Sequence, residues 1–399
     1  MVKNGFPSPW ERAEFMAANR ARSDPSTVKG PQSTVYPALA PLVLEYNLER
    51  SARFHATTLE TGMAPLMHPS PCTLNTDVGT SGCDGKPACA CTTGTTCNNC
   101  NTCSAGTDPF TRIGYFYAPG GRGEIAAAGY GDPWSVMEGW VNEPAGADGH
   151  RTIVDGAPYG LAGFGSAGGA MGACWSAFDV GDFATATSAP PKIASAAPKP
   201  FGGAAGTFRV YATWNDPAAG APMSLRAVVD GKCGAMMTKE LGDPKLNATY
   251  YEDVPLTDGC HTVFILGHDA GGTRLTYPTT TAFTIAVGGG ACAEEMPQPG
   301  ADCEAMTGVD AGGSPTDGGG SGSDASAKPD GATTNGDGGG TSPGRGGGGA
   351  DGGDGAGAGN NDTTSSSGCS VVARVPQTAG FSAFGLALAA LGLVRRRRT

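Results

Sequence analysis

The sequence predicts an α+β fold in which a helix-rich region is followed by a β-rich region. Two observations carry this prediction: apolar side chains recur at helical spacing in residues 11–61, and the period becomes two in residues 206–287. A third observation sets the limit of the folded part. After Cys303 the chain has almost no large apolar residue until Cys369, which predicts a disordered Gly- and Asp-rich spacer.

Two helices are predicted near the start of the chain. The first spans residues 11–22 and stops near Pro25, and the second spans residues 42–61. The apolar face of the second helix consists of Leu44, Leu48, Ala52, His55 and Ala56. Because His55 lies on this face, we expect it to pack in the core rather than to bind a ligand.

Apolar and polar residues alternate at the start of the β-rich region, where the neighbours of each inward residue are expected to face solvent. The inward side chains are those of Phe208, Val210, Ala212 and Trp214. Asp230 and Gly231 predict a hairpin turn, and residues 263–266 predict a buried strand. About five to seven short strands of this kind fit an immunoglobulin-like β-sandwich.

Changes in composition divide the chain into five segments, each with the sequence character of one structural role. They are a folded domain at 8–186 with a cysteine-rich insert at 72–103, a Pro- and Ala-rich linker at 188–200, the β-sandwich module at 206–290, the disordered spacer at 291–368, and a C-terminal sorting or anchor segment at 369–399.

Cysteine usage indicates an oxidising compartment, since 13 cysteines in 399 residues would be unusual for a cytosolic enzyme. Seven of them lie in the insert, and Cys174 makes eight, which would close as four disulfides of open connectivity. The spacing of Cys97, Cys100 and Cys103 also suits iron–sulfur or zinc ligands, but export and the even count favour disulfides.

We expect each of the later cysteines to pair with a cysteine close to it in the sequence. Cys233 is expected to pair with Cys260, and Cys292 with Cys303. Cys369 is then left without a partner, which favours processing or lipid attachment at this residue over a role in folding.

The net charge argues against nucleic acid as a partner, because phosphate binding requires a concentrated basic surface. The formal net charge is −11 and the pI is near 4.9. Much of this acidity lies in the spacer and says little about a binding site. The sequence also lacks a Gly-x-Ser-x-Gly nucleophile motif and a phosphate-binding loop with its lysine.

The C-terminal segment predicts attachment to a membrane. Residues 379–394 are almost entirely small or apolar, and four arginines follow at 395–398. A helix of about 16 residues reaches roughly 24 Å, enough to enter a thin bilayer, and the arginines would stay cytoplasmic. Together with Cys369, this tail resembles the C-terminal sorting signals of myxobacteria; a plain single-span anchor is the alternative. Either interpretation places the protein at the cell surface.

Export normally needs an N-terminal signal with a basic start and an apolar run. Residues 1–10 show neither feature. We therefore expect the start of the chain to be truncated or misassigned.

A series of short motifs runs through residues 8–186. In chain order they are Asn19-Arg20-x-Arg22, Leu48-x-x-x-Ala52-x-x-His55-Ala56, His68-x-Ser70, Gly123-Glu124, Trp140-x-x-Glu143, Gly149-His150-Arg151 and a final segment with Trp175. Their shared order and spacing resemble the CAP superfamily, also called SCP-like domains, in its bacterial form. The chain departs from the family at Ile125, where Asn is usual, and in the cysteine-rich insert.

The resemblance implies a three-layer α–β–α sandwich with a cleft lined by two histidines and two acidic residues. Carried over to this chain, these are His68, Glu124, Glu143 and His150. The two imidazoles suit Zn²⁺ or another divalent metal, and the carboxylates would orient water, raise imidazole basicity or act as a general base. The alternative is a hydrogen-bonded cluster that stabilises the cleft and never binds metal.

Three functions remain open at this point. The leading one is non-enzymatic: a surface-displayed binding protein whose cleft, with or without a metal, accepts a lipid, sterol, peptide or glycan. The second is a metal-assisted hydrolase, in which His68 and His150 hold the ion and Glu124 or Glu143 activates water. The third is a structural adhesin whose β-sandwich makes the contacts. Catalysis would be favoured by a third metal ligand, and the sequence identifies none.

Overall fold

The structure of the chain, a computed structural model, contains both helices and β-sheets, which confirms the predicted α+β class. All described residues belong to one of the chain's two compact units. The predicted anchor at 369–399, Cys369, most of the predicted spacer and much of the insert lie outside the described residues. The described residues are 6–28, 34–80, 91–92, 97, 100, 103, 106–156, 158–169, 171–185, 189–200 and 202–303.

The described residues up to 185 form the first half of the fold, and those from 189 to 303 form the second half. The helices of the described residues all lie in the first half. They are α1 (Pro9–Ser23), α2 (Tyr46–Thr61), α3 (Pro109–Phe116), α4 (Pro133–Val141) and α5 (Gly149–Asp155). Among the described residues, no helix combines the length and the apolar character needed to cross a bilayer.

The first two helices confirm the helical pattern of the sequence, and the largest change of boundary is at the start of α2. Helix α1 begins at a capping box in which the Ser8 hydroxyl accepts from the Glu11 amide and the Glu11 carboxylate accepts from the Ser8 amide. Helix α2 begins four residues later than predicted. The reason is that Val43–Leu44 forms a strand, β1, and the Glu45 side chain then caps the helix.

A four-stranded sheet forms the centre of the first half, in the order β1-β3-β4-β2. Its strands are β1, β2 (Arg122–Ala128), β3 (Tyr159–Gly168) and β4 (Ala177–Thr185). The last motif of the first domain, the segment with Trp175, lies just before β4.

Helices cover both faces of this sheet. Along β2, Ile125 packs in the cluster that contains α1 and α4, and Ala126 packs in the cluster that contains α2. Helix α2 lies directly on the backbone of β3, because a Cβ atom at Gly163 would stand 1.9 Å from the Glu49 nitrogen. Glycine is therefore required at this position.

Two further sheets form the second half, in the orders β5-β6-β10-β9 and β14-β13-β11-β7-β8, with β12 paired to β11. Their strands are β5 (Ile193–Lys199), β6 (Gly206–Trp214), β7 (Ser224–Val229), β8 (Lys232–Cys233), β9 (Thr238–Asp243), β10 (Asn247–Leu256), β11 (Gly259–His268), β12 (Arg274–Tyr277), β13 (Thr281–Val287) and β14 (Glu295–Pro297).

Side chains from both of these sheets share one apolar cluster, so the sheets pack face to face. The four side chains expected to face inward from β6 all belong to this cluster. The predicted hairpin is also confirmed: Asp230 and Gly231 have φ angles of 52° and 78° and connect β7 to β8. The buried strand at 263–266 is the central part of β11.

Two predicted boundaries of the second half are wrong. The segment 188–200, predicted as a linker, contains β5, in which Ala196 packs in the second-half core and Ala197 packs against the helices. The predicted spacer begins too early, because β14 pairs with β13 and Ala301 is buried. The Pro- and Ala-rich sequence predicts a linker because these residues have a low strand propensity. Their small side chains nevertheless suit a strand that is buried on both faces.

The disulfides of the described residues are Cys72–Cys91, Cys97–Cys103, Cys100–Cys174, Cys233–Cys303 and Cys260–Cys292. Cys174 pairs with the insert, in keeping with the predicted even count. The predicted pairs Cys233–Cys260 and Cys292–Cys303 are wrong. Strand β7 lies between β8 and β11, which puts their backbones about 10 Å apart, beyond the reach of a disulfide.

Helix α1 joins the two halves. Twelve of its 15 residues are buried. On one side it contacts β3, α4 and α5, and on the other it contacts β5, β6 and β10. Asn19 illustrates the double contact: its Oδ1 accepts from the Leu42 amide of the first half at 2.6 Å, and its Nδ2 donates to the Ser195 hydroxyl of the second half at 3.2 Å.

The same packing corrects one expectation about β6. Its Tyr211 and Thr213 were expected to face solvent, but both are buried. Tyr211 belongs to the apolar cluster of α1 and lies 5.3 Å from the Trp134 ring, centroid to centroid. The face of the sheet that would otherwise meet water is covered by the helices.

Two buried carboxyl groups lie between α1 and β4. The Trp10 indole nitrogen donates to Asp179 Oδ1 at 2.8 Å and to Glu14 Oε1 at 3.2 Å. Burial raises the pKa of Asp179 to about 7, and burial together with the Asp179 charge raises the pKa of Glu14 well above its ordinary value. These groups therefore retain protons in the folded state over a range where the unfolded chain has lost them.

This linkage predicts that stability falls as pH rises. Because the pKa of Asp179 is higher in the folded state, its protonated form stabilises the fold. This stabilisation is complete below about pH 4, the ordinary pKa of an aspartate, and is lost as the pH rises through about 7. We expect the free energy of urea unfolding to decrease between about pH 5 and pH 8. Asp179→Asn, which is neutral throughout, should reduce this decrease. The exposed Glu138→Gln serves as the control, and an unchanged pH dependence in Asp179→Asn would contradict the assignment.

Candidate functional site

His68 and Glu124 form the first of two imidazole–carboxylate pairs. His68 lies in the loop after α2, and Glu124 is a buried residue of β2. Their Nδ1 and Oε1 atoms are 2.8 Å apart. Glu124 alternates with Ile125, whose side chain enters the apolar cluster on the other face of the sheet. Glu124 therefore lies on the side of the sheet that faces His68.

Arg112, on α3, binds both members of this pair. Its Nη1 donates to the His68 carbonyl oxygen at 2.9 Å and to the Ser70 hydroxyl at 3.2 Å, and its Nη2 forms an ion pair with Glu124 Oε2. The side chain is fully buried, and burial lowers its pKa to about 10, with the Asp182 charge acting in the opposite direction. Sequence reasoning missed Arg112. Its only signal is a single cation among the apolar residues of a short helix.

Asp182 and His55 complete the buried surroundings of the first pair. Asp182 lies on β4 opposite Glu124 and is fully buried. Burial raises its pKa to about 6, while the positive charge of Arg112 opposes this rise. His55 is buried on α2, with Nε2 2.9 Å from the Met67 carbonyl oxygen, and burial lowers its pKa well below the ordinary value. The core position predicted for His55 is therefore confirmed.

Glu143 and His150 form the second pair. Glu143 lies just after α4, and His150 lies in the first turn of α5. Glu143 Oε1 is 2.5 Å from His150 Nδ1, and its Oε2 accepts from the His150 and Arg151 amides at 3.0 and 3.3 Å. The carboxylate thus satisfies exposed amides at the start of the helix and orients the ring of the same helix.

The two pairs present their imidazoles in the same way. An ionised carboxylate only accepts hydrogen bonds, so in the neutral form of each ring Nδ1 carries the proton and Nε2 carries the lone pair. The side chains of His68 and His150 are 24% and 18% exposed, whereas their glutamate partners are almost fully buried. Each Nε2 is therefore the ring atom suited to bind a ligand.

Both pairs lie beside strand β2. Glu124 is part of β2, and α5, which carries His150, contacts this strand. Trp140 contacts both β2 and His150: its indole nitrogen donates to the Ala126 carbonyl oxygen at 3.4 Å, and its ring lies 6.5 Å from the His150 ring. The structure thus brings the four residues predicted from the sequence together two by two, and each pair lies near β2.

The donor set of these pairs suits a divalent metal through two imidazoles. Among the described residues, Cys233, Asp302 and Cys303 form a group of three side chains whose potential ligand atoms all lie within 4.8 Å of one another. Its two sulfur atoms already form a disulfide, so this group is not a metal site. A metal at His68 and His150 would take its remaining ligands from water or a bound molecule.

An open cavity of about 590 Å³ lies elsewhere, between the C-terminal end of α1 and the edge strand β9. None of the four predicted site residues lines it. Its acidic side chains are already hydrogen-bonded, as Asp24 is to Thr27 and Glu240 is to Arg20. These two carboxylates are therefore engaged within the protein.

The two glutamates should differ in their effect on stability. Glu124→Ala removes the ion-pair partner of a buried guanidinium, which we expect to lower the free energy of unfolding by about 3 kcal/mol. Glu143→Ala removes hydrogen bonds at a helix end, with an expected loss of about 1–2 kcal/mol. Urea denaturation with the disulfides intact measures both. A loss for Glu124→Ala equal to or smaller than that for Glu143→Ala would contradict the buried ion pair.

Comparison of the chain with protein-family models and with curated proteins gave no match. The assignment of the site therefore depends on its own geometry and on the motifs of the sequence.

Proposed function

We propose that this chain is an exported binding protein of CAP type, in which the side chains of His68 and His150 form a divalent-metal site that takes part in ligand binding. The helices on both faces of the first sheet and the order of the motifs support this proposal. The five disulfides of the described residues fit an oxidising compartment.

One observation carries the proposal: each imidazole is fixed at Nδ1 by a buried carboxylate while its ring remains partly exposed. This is the arrangement that orients metal-binding histidines and raises their basicity. Zn²⁺ is the ion that best suits two imidazoles with water or a ligand in the other positions. When bound, it would supply a Lewis acid that attracts the polar end of the ligand.

Binding is favoured over hydrolysis by the contacts of the carboxylates. Glu124 accepts from His68 and pairs with Arg112, and Glu143 accepts from His150 and from two backbone amides. A general base must reach the water that it activates, and both carboxylates are committed to positioning instead. The ligand classes that we propose are a lipid, sterol, peptide or envelope glycan fragment.

The remaining segments give the proposal its cellular setting. We propose that residues 369–399 attach the protein to the cell envelope and that the spacer holds the folded part away from the membrane. The face-to-face sheets of the second half suit an immunoglobulin-like module. In this arrangement the module supports the first half through α1, and an adhesive role would use its outer surface.

Native mass spectrometry tests the metal site. The full chain, produced in an oxidising compartment, should bind one Zn²⁺ per molecule, whereas the His68→Ala/His150→Ala variant should bind none. The matched control is His261→Ala/His268→Ala, which removes two imidazoles from β11 and should bind like the wild type. A wild type that binds no Zn²⁺, or a site variant that binds as well as the wild type, would refute the proposal.

A further inference from the structure

We propose that Arg112 is the positioning residue of His68: it fixes both the backbone of this histidine and the carboxylate that orients its ring. The inference rests on the proposed function of His68 as a ligand-binding residue and extends it to a side chain that would touch neither metal nor ligand.

The contacts form a closed ring of three residues. Nη1 of Arg112 binds the His68 carbonyl oxygen at 2.9 Å, Nη2 pairs with Glu124 Oε2, and Glu124 Oε1 binds His68 Nδ1 at 2.8 Å. The loop that carries His68 and the strand that carries Glu124 are 56 residues apart in the sequence. Arg112 is thus the group that fixes the distance between the imidazole and its carboxylate.

Burial makes this contact strong and specific. Arg112 and Glu124 are almost fully buried, so solvent screens their attraction poorly. The guanidinium is planar and donates in two directions at once, which allows one side chain to bind a carbonyl oxygen and a carboxylate. A lysine ammonium is a compact point charge on a flexible stem and lacks this fixed fork. The geometry of Arg112, not its charge alone, should therefore determine the ring position.

Asp182 adds a second negative charge beside the three residues Arg112, Glu124 and His68. It lies opposite Glu124 on β4, and its negative charge acts on Arg112. One buried guanidinium consequently faces two buried carboxyl groups. Removing Arg112 alone would leave Glu124 and Asp182 without their common cation. Removing the charges of Arg112 and Asp182 together leaves the net charge of the group unchanged.

The second pair is held by backbone amides close to it in the sequence and provides an internal control. Glu143 is held by the amides of His150 and Arg151, close to it in the sequence. The Arg151 guanidinium is directed elsewhere, to backbone carbonyls such as that of Pro25 and to the Asp155 carboxylate. A change at Arg112 should therefore alter His68 and spare His150.

Nitrogen NMR of the imidazole rings tests this inference without any metal. The full chain, labelled with ¹⁵N-histidine and freed of metal, is examined at about pH 8, where an ordinary imidazole is neutral. In the wild type, both His68 and His150 should show the tautomer protonated at Nδ1. In Arg112→Lys, the nitrogen resonances of His68 should move toward a mixture of tautomers while those of His150 stay unchanged. A titration with Co²⁺ should then show an affinity at least about tenfold lower.

A second variant covers the case in which Arg112→Lys does not fold. Arg112→Met/Asp182→Asn removes one positive and one negative buried group, and the same selective change at His68 is expected. Unchanged His68 resonances in a folded variant, or equal changes at His68 and His150, would overturn the inference. Failure of the wild type to bind Co²⁺ would instead count against the proposed function, because the tautomer measurement needs no metal.

Discussion

Helix α1 is the element on which the rest of the structure depends, because both halves of the fold pack against it at once. It contacts the central sheet of the first half and the sheet of β5, β6 and β10 in the second. Its buried polar side chains are stable there only where they find partners, as Asn19 does with Ser195. Separation of the halves would expose this face of the helix together with the strands it covers. We infer that the described residues form one cooperative unit.

The candidate site uses the first half of this unit, beside strand β2. The two imidazoles are oriented by the same chemistry, a carboxylate at Nδ1, but the supporting contacts differ. The pair of His150 is local and is held by the start of a helix. The pair of His68 joins distant parts of the chain through a buried guanidinium. Buried charges of this kind are costly to fold, and their concentration at one place is typical of a functional site.

The sequence predicts those features that repeat locally. Periodicity and turn chemistry predict the first two helices, the alternation in β6 and the hairpin at Asp230. Motif order predicts the four candidate residues, which the structure places in two hydrogen-bonded pairs. Arg112 and Asp182 have no local pattern, since their role arises only when α3 and β4 meet the loop of His68. The strand β5 was missed because its small residues carry a weak strand signal, and the disulfides of the second half depend on strand order rather than on sequence proximity.

The central claim, that α1 belongs to the cores of both halves, is tested most directly by native-state hydrogen exchange with the disulfides intact. If it is correct, the amides of α1, β3, β6 and β10 exchange with the same free energy of opening, equal to that of global unfolding. Exchange of the α1 amides through a local opening of lower free energy would contradict the claim. So would a second half that opens while β3 and α1 stay protected.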